Sequence, residues 1–198
     1  MIIVAGVGPG DPKYMTLDVL DAIKNTPNVV AFNRVSESLV DIRKNYIKVS
    51  TVKEVLDCIE EYEEVLILAS GDPCFYGILE YLKKKEIKID KVLPGLSSFQ
   101  YMMSKLNKSW HKAVFLSLHG READLAKVQD KPLSIILTDN HNTPSSISER
   151  LGELGIKGKI YAGYDLSYED ELIIEKSIGE KIVDISSLAV VVVENEMG

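Results

Sequence analysis

The sequence predicts an α/β protein of two domains, an N-terminal one on a mostly parallel sheet and a C-terminal one on a mixed sheet. Three observations carry this expectation. Short β-branched runs alternate with amphipathic helical stretches through the first half, the pattern of repeated strand–helix–strand units. Polar, linker-like residues gather in "LNKSWHKA" at residues 106–113, which sets a domain boundary between residues 109 and 110. Beyond it, strand-like runs crowd together with few helices between the last of them, as antiparallel neighbours do.

Each element has a local reason. Residues 1–6 read as a strand, and Thr16 caps a helix whose apolar positions Leu17, Leu20 and Ile23 recur at helical spacing. Residues 29–32 form a second strand. Thr51 caps a helix with Val52, Val55, Leu56 and Ile59 on one face and charges on the other. "EVLILAS" is a strand buried on both faces, followed by a polar loop, the helix "YGILEYLKKK", a short strand at residues 91–93, the turn "PGLSS" and a helix to about Lys105. The C-terminal domain then offers the strand at 113–118, a short acidic helix near 122–129, the strand "PLSIILT" and a helix begun by "TPSSISERL". Further strands fall at 159–164, 171–177 and 188–194.

Composition narrows the function classes. Apolar residues make up 45% of the 198 and charged residues 27%, so the chain is an ordinary globular one with a sizeable core. Thirty acidic against 23 basic residues give a formal charge of -7, which argues against a nucleic-acid binder acting through its overall field. The longest apolar stretches, such as 65–69 and 188–193, fall far short of the roughly 20 residues of a membrane helix. "MIIVAGVGPGDP" has neither a basic leader nor a cleavage site and reads as a strand entering a loop, so a cytoplasmic location is expected. Cys58 and Cys74 with three histidines show no zinc spacing, and no metal is expected.

Three loops carry the chemistry. "AGVGPGDP" follows the first strand, yet Asp11 stands where a dinucleotide loop has its third glycine, and Pro9 and Pro12 remove two amide donors. "SGDPCFYG" (70–77) and "PGLSS" (94–98) follow two other strands. In an open parallel sheet the carboxyl ends of the strands share one edge, so the three loops line one crevice. Carboxylates, hydroxyls and main-chain groups dominate there, which suits a polar cationic ligand better than a phosphate-rich one. A fourth feature is "VFLSLHGRE" (114–122), where an apolar strand ends in His119, Gly120 and Arg121. Gly120 permits a sharp turn between the two functional side chains.

"GVGPGDPKYMT", "SGDPCFYG", "PGLSSFQYM" and "SLHGR" together resemble the tetrapyrrole methylase family, and the resemblance runs nearly end to end. The last two, with the tryptophan between them, resemble the branch that methylates C5 of a precorrin or cobalt-precorrin in cobalamin biosynthesis. The resemblance implies a two-domain fold with the active site in the cleft between the domains, S-adenosylmethionine as methyl donor, and a homodimer. It implies cofactor contacts at Pro9, Ser70, Gly71, Asp72, Phe75, Ser97, Ser98, Thr138 and Leu166. "YAGYDLSYEDE" departs from the Glu-Asn-Leu stretch usual in this branch, at Leu166. Larger aerobic relatives are fused to a second methyltransferase that acts at C15 and removes a carboxyl group; this chain is expected to be the separate C5 enzyme, working with a partner for the C15 step. Transfer at another ring position, or a nicotinamide-dependent oxidoreductase, are the alternatives.

Methyl transfer to an electron-rich carbon needs positioning, exclusion of water and a proton acceptor rather than a metal. The substrate's carboxylate rim calls for local cations, and Lys108, His111, Lys112, His119 and Arg121 fall within a short span. His119 and Arg121 are therefore the expected substrate-site residues, His119 as proton acceptor or as a turn residue. Asp72, before a proline, suits orientation of the cofactor better than acid–base work. Trp110 either stacks on the macrocycle or packs between domains.

Overall fold

The computed structural model describes residues 1–196, which divide into two compact units, one of residues 1–98 and one from Phe99 onward. The division falls at the start of the helix that follows "PGLSS", ahead of the polar stretch from which a boundary at 109/110 is expected; that helix packs with the second unit.

The first unit contains β1 (Ile2–Gly6), α1 (Leu17–Asn25), β2 (Val29–Phe32), α2 (Asn33–Ser38), β3 (Ile47–Val49), α3 (Val52–Glu61), β4 (Val65–Ala69), α4 (Ile78–Lys84) and β5 (Lys91–Leu93). Its sheet is wholly parallel, in the order β3-β2-β4-β1-β5. Alternation along the strands divides the core. Ile3, Ala5, Val29, Ala31, Leu66 and Leu68 face Val19 and Ile23 of α1 and Val35 of α2. Val4, Val30, Val65 and Ile67 face Val55 of α3 and Leu82 of α4. The near-continuous apolar strands are thus explained by burial on two sides. Thr16 and Thr51 cap α1 and α3 through their hydroxyls, and Glu54 returns a bond to Thr51 and to the Ser50 amide as a capping box. The sequence pattern predicts no element at α2 or β3. Both are short: α2 has no side-chain cap, and β3 takes its register from β2.

The second unit begins with α5 (Ser98–Lys105), whose first residue closes the first unit, then β6 (Val114–Ser117), β7 (Leu133–Leu137), α6 (Pro144–Glu153), β8 (Gly158–Tyr164), β9 (Leu172–Ser177) and β10 (Ala189–Asn195). The acidic segment near 122–129 is a 3-10 turn, Leu125–Val128, capped by Asp124. The sheet order is β6-β7-β10-β8-β9; β6 and β7 run parallel and the other pairs antiparallel. Ile147 and Leu151 of α6 cover one face with Leu125 and Val128. On the other, Gly163 leaves room for Met102: a Cβ there would meet Met102 Sδ at 2.9 Å. Trp110 packs edge-to-face on Phe99 and Phe115, with ring centroids 5.3 and 6.5 Å away, so its partners lie inside the second unit.

Candidate functional site

In the first sheet β4, β1 and β5 are adjacent and parallel, so their following loops emerge side by side at one edge. The three glycine-rich loops are these. Their backbones touch. Gly8 and Gly71 form an isolated antiparallel bridge, Gly71 N donating to Gly8 O at 2.8 Å and Gly8 N to Gly71 O at 3.3 Å. Asp72 Oδ1 accepts the Cys74 amide at 2.7 Å, and its Oδ2 accepts the Gly95 amide at 3.1 Å. A Cβ on Gly6 would stand 2.4 Å from Gly71 O, and one on Gly95 only 2.2 Å from it, so backbone approaches backbone where no side chain fits.

Of the residues expected at the cofactor in this unit, Pro9 and Ser97 are buried, Gly71, Asp72, Phe75 and Ser98 are partly exposed, and Ser70 is exposed. Phe75 stacks edge-on against Tyr76, whose φ of 52° is left-handed, a conformation that a bulky residue adopts only when its surroundings hold it there. Asp11 is spent locally. It accepts the Lys13 amide at 2.9 Å and pairs with the Lys13 ammonium at 2.5 Å, and that hydrogen bond to the ammonium holds its carboxyl below the ordinary value. The loop's carboxylate and its lysine therefore pair with one another, which weakens the positive potential there that a phosphate would need.

In the second unit β6 and β7 are parallel neighbours, which brings the end of "VFLSLHGRE" beside the end of "IILTDN". His119 Nδ1 lies 2.9 Å from Thr138 O, and the Gly120 amide donates to Asp139 Oδ2 at 3.1 Å. His119, Gly120 and Arg121 are exposed; Thr138 is buried, its hydroxyl donating to Ala189 O at 2.7 Å. Leu166 is buried between Asp165 and Ser167, both left-handed at φ 43° and 73°. Glu171 holds this corner, accepting the Ser167 amide at 2.7 Å and pairing with Lys105 at 2.8 Å. The stretch that departs from the family pattern is thus an ordered corner with its own supports.

The family described as tetrapyrrole (corrin/porphyrin) methylases matches residues 1–182. The chain belongs to this family. A probable cobalt-precorrin-7 C(5)-methyltransferase of Methanocaldococcus jannaschii is 32% identical over 99% of each chain. Among solved structures, the cobalamin-biosynthesis precorrin-6Y methylase of Archaeoglobus fulgidus superposes with a TM-score of 0.78 at 23% identity, covering 100% of this chain and 99% of that one. The uroporphyrin-III C-methyltransferase of Thermus thermophilus, solved with S-adenyl homocysteine, gives 0.78 at 21% identity over 98% and 96%. These two likenesses show that the tetrapyrrole methylase fold extends over the whole chain.

The fold brings Pro9, Gly71, Asp72 and Ser97 together through one edge of the first sheet, and His119 and Thr138 through one edge of the second. It removes Lys108 from the cations available to a substrate: its ammonium sits 3.0 Å from Glu194 Oε2 and 5.2 Å from the centre of the Tyr161 ring. His111 Nδ1 lies 2.9 Å from Ser109 Oγ. Sequence reasoning missed Asp139, which follows Thr138. Its signal was present in "DNHN", an aspartate ahead of short polar residues as in an Asx turn. Among the described residues no helix is long and apolar enough to cross a membrane.

Proposed function

We propose that the protein is an S-adenosylmethionine-dependent C-methyltransferase acting at C5 of cobalt-precorrin or precorrin in cobalamin biosynthesis. The observation that carries this reading is the 32% identity, over 99% of each chain, to the Methanocaldococcus C(5)-methyltransferase. The chemistry of the loops agrees with it. Backbone groups and Asp72 at the first sheet's edge, with Lys13 paired to Asp11, suit a zwitterionic ligand bearing a sulfonium. Asp11 and the absent amides of Pro9 and Pro12 disfavour a nicotinamide dinucleotide.

Bound S-adenosylmethionine supplies an electrophilic methyl group. Pro9, Ser70, Gly71, Asp72, Phe75, Ser97 and Ser98 would hold it mostly through main-chain atoms, and Thr138 and Leu166 are the further contacts that the family resemblance implies. Arg121 pairs with a substrate carboxylate. His119 takes the proton that leaves C5 once the new carbon–carbon bond has formed and the methyl–sulfur bond has broken. The protein works as a cytoplasmic homodimer beside a separate C15 methyltransferase/decarboxylase.

Thermal-shift measurement with S-adenosylhomocysteine, S-adenosylmethionine and NAD separates the classes, because a ligand stabilises the fold it binds by mass action. The first two are expected to raise Tm and NAD to leave it unchanged. Incubation with cobalt-precorrin and S-adenosylmethionine is then expected to add one methyl group by mass spectrometry. A shift with NAD alone overturns the reading.

A further inference from the structure

Two consecutive residues at the end of β7 hold two consecutive residues at the end of β6. Thr138 O meets His119 Nδ1 at 2.9 Å, and Asp139 Oδ2 accepts the Gly120 amide at 3.1 Å. A carbonyl has no proton to give, so Nδ1 carries the hydrogen, and in the neutral ring the lone pair resides on Nε2. Asp139 Oδ1 accepts three more hydrogens: from His141 N at 2.9 Å, Asn142 N at 2.7 Å and Asn142 Nδ2 at 3.1 Å. Asn142 reaches Leu118 O at 3.4 Å and is itself braced by Arg150, which donates to its Oδ1 at 3.1 Å. These donors, the Asn142 amide foremost and the Gly120 amide next, hold the Asp139 carboxyl far below its ordinary value, so it is an anion across the neutral range.

The division of labour between the two oxygens is informative. Oδ1 builds the local turn at residues 139–142, which any well-formed Asx turn would do. Oδ2 leaves that turn and crosses to the neighbouring loop. The backbone amide it captures belongs to the residue after His119, so the carboxylate sets the chain position from which the imidazole reaches the Thr138 carbonyl.

We propose that Asp139 is a positioning residue for the methyl-transfer site: by clamping Gly120 it keeps His119 on the Thr138 carbonyl as the Nδ1–H tautomer, with Nε2 as the proton acceptor. The proposal rests on the methyltransferase reading for its catalytic consequence but not for its structural one, and the two are measured separately.

Asp139→Asn is the discriminating substitution. The amide oxygen keeps the turn to His141 and Asn142, while its NH2 faces the Gly120 amide, donor against donor, so the clamp alone is broken. Asp139→Ser, which retains one short acceptor for the turn, is read in its place if the asparagine variant does not fold. In long-range 1H–15N spectra of histidine-labelled protein, neutral wild-type His119 is expected as a single Nδ1–H tautomer and the variant as a mixture. With cobalt-precorrin, kcat is expected to fall about tenfold, a loss within the range of general-base catalysis, while S-adenosylhomocysteine affinity changes less than about twofold. Asp139→Asn placed on His119→Ala is expected to cost no more than His119→Ala alone. An unchanged single tautomer in the variant overturns the proposal, as do losses that multiply in the double variant. If no form of the protein turns over the tetrapyrrole, the methyltransferase reading fails and the spectra still decide the clamp.

Discussion

Asp72 Oδ2 accepts the Gly95 amide hydrogen at 3.1 Å, tying the loop after β4 to the loop after β5 across a separation of 23 residues. Its other oxygen closes the turn onto Cys74. One carboxylate thus sets the spacing of two of the three loops proposed to hold the cofactor. Asp72→Ala removes an ionic acceptor from both amides, a loss of about 1.5–3 kcal/mol shared between loop order and binding. Calorimetry is expected to show S-adenosylhomocysteine bound about tenfold more weakly. Unchanged affinity would detach Asp72 from the site.

Two glycines separate crowding from backbone strain. At Gly95 a methyl group would lie 2.2 Å from Gly71 O and 2.7 Å from Gly6 O, so Gly95→Ala must push the loops apart. About 3 kcal/mol of destabilisation is expected, with loss of cofactor binding. At Gly120, φ is 61° and nothing lies within 4 Å of the Cβ position. Gly120→Ala carries only the left-handed strain, about 1 kcal/mol. Urea unfolding of both variants tests the order; equal losses would contradict it.

Arg121 and Lys108 are both cations of the second unit, and their expected roles differ. Lys108 pairs with Glu194 and lies over the Tyr161 ring, and Arg121, which follows the His119 turn, is proposed to pair with a substrate carboxylate. Arg121→Ala is expected to weaken tetrapyrrole binding about tenfold with S-adenosylhomocysteine affinity unchanged. Lys108→Ala is expected to leave tetrapyrrole binding intact and to lower stability by less than about 1 kcal/mol, since the pair is partly exposed. Fluorescence titration with the substrate distinguishes them.

Tyr164 is fully buried and donates to Asp184 Oδ1 at 3.1 Å; burial, reinforced by the Asp184 charge, pushes its hydroxyl well above the ordinary value of 10.0. An unfolded chain releases this proton near pH 10 while the folded one retains it. The contribution to stability is therefore whole below pH 10 and is lost as the pH rises above it. Chemical denaturation from pH 8 to 11 is expected to show a decline from about pH 10 that is shallower in Tyr164→Phe. At neutral pH that variant loses one hydrogen bond, about 1 kcal/mol.

The elements most legible in the sequence are those whose reason is local. Thr16 and Thr51 cap helices through their own hydroxyls, and the unbroken apolar run at residues 65–69 is the central strand β4, buried on both faces. The helix at 33–38 and the strand at 47–49 were not legible, because neither carries a cap or a period of its own; packing of Val35 and Leu39 and pairing with β2 create them. The left-handed corners at Tyr76 and Ser167 were equally silent, since residue types that avoid that conformation occupy it only under tertiary constraint.

By itself the sequence determined the alternation of strands and helices, the three glycine loops and the chemistry at the end of "SLHGR", because propensity, capping and periodicity act over a few neighbouring residues. Only the tertiary structure decided which groups are free to act. Strand order sets β4, β1 and β5 side by side so that Asp72 finds Gly95, and the parallel pairing of β6 with β7 delivers Thr138 and Asp139 to His119 and Gly120. Lys108, charged in the sequence, is paired in the fold with Glu194, 86 residues away. A charge or a lone pair is a property of a residue; its availability depends on neighbours that the chain brings near from a distance.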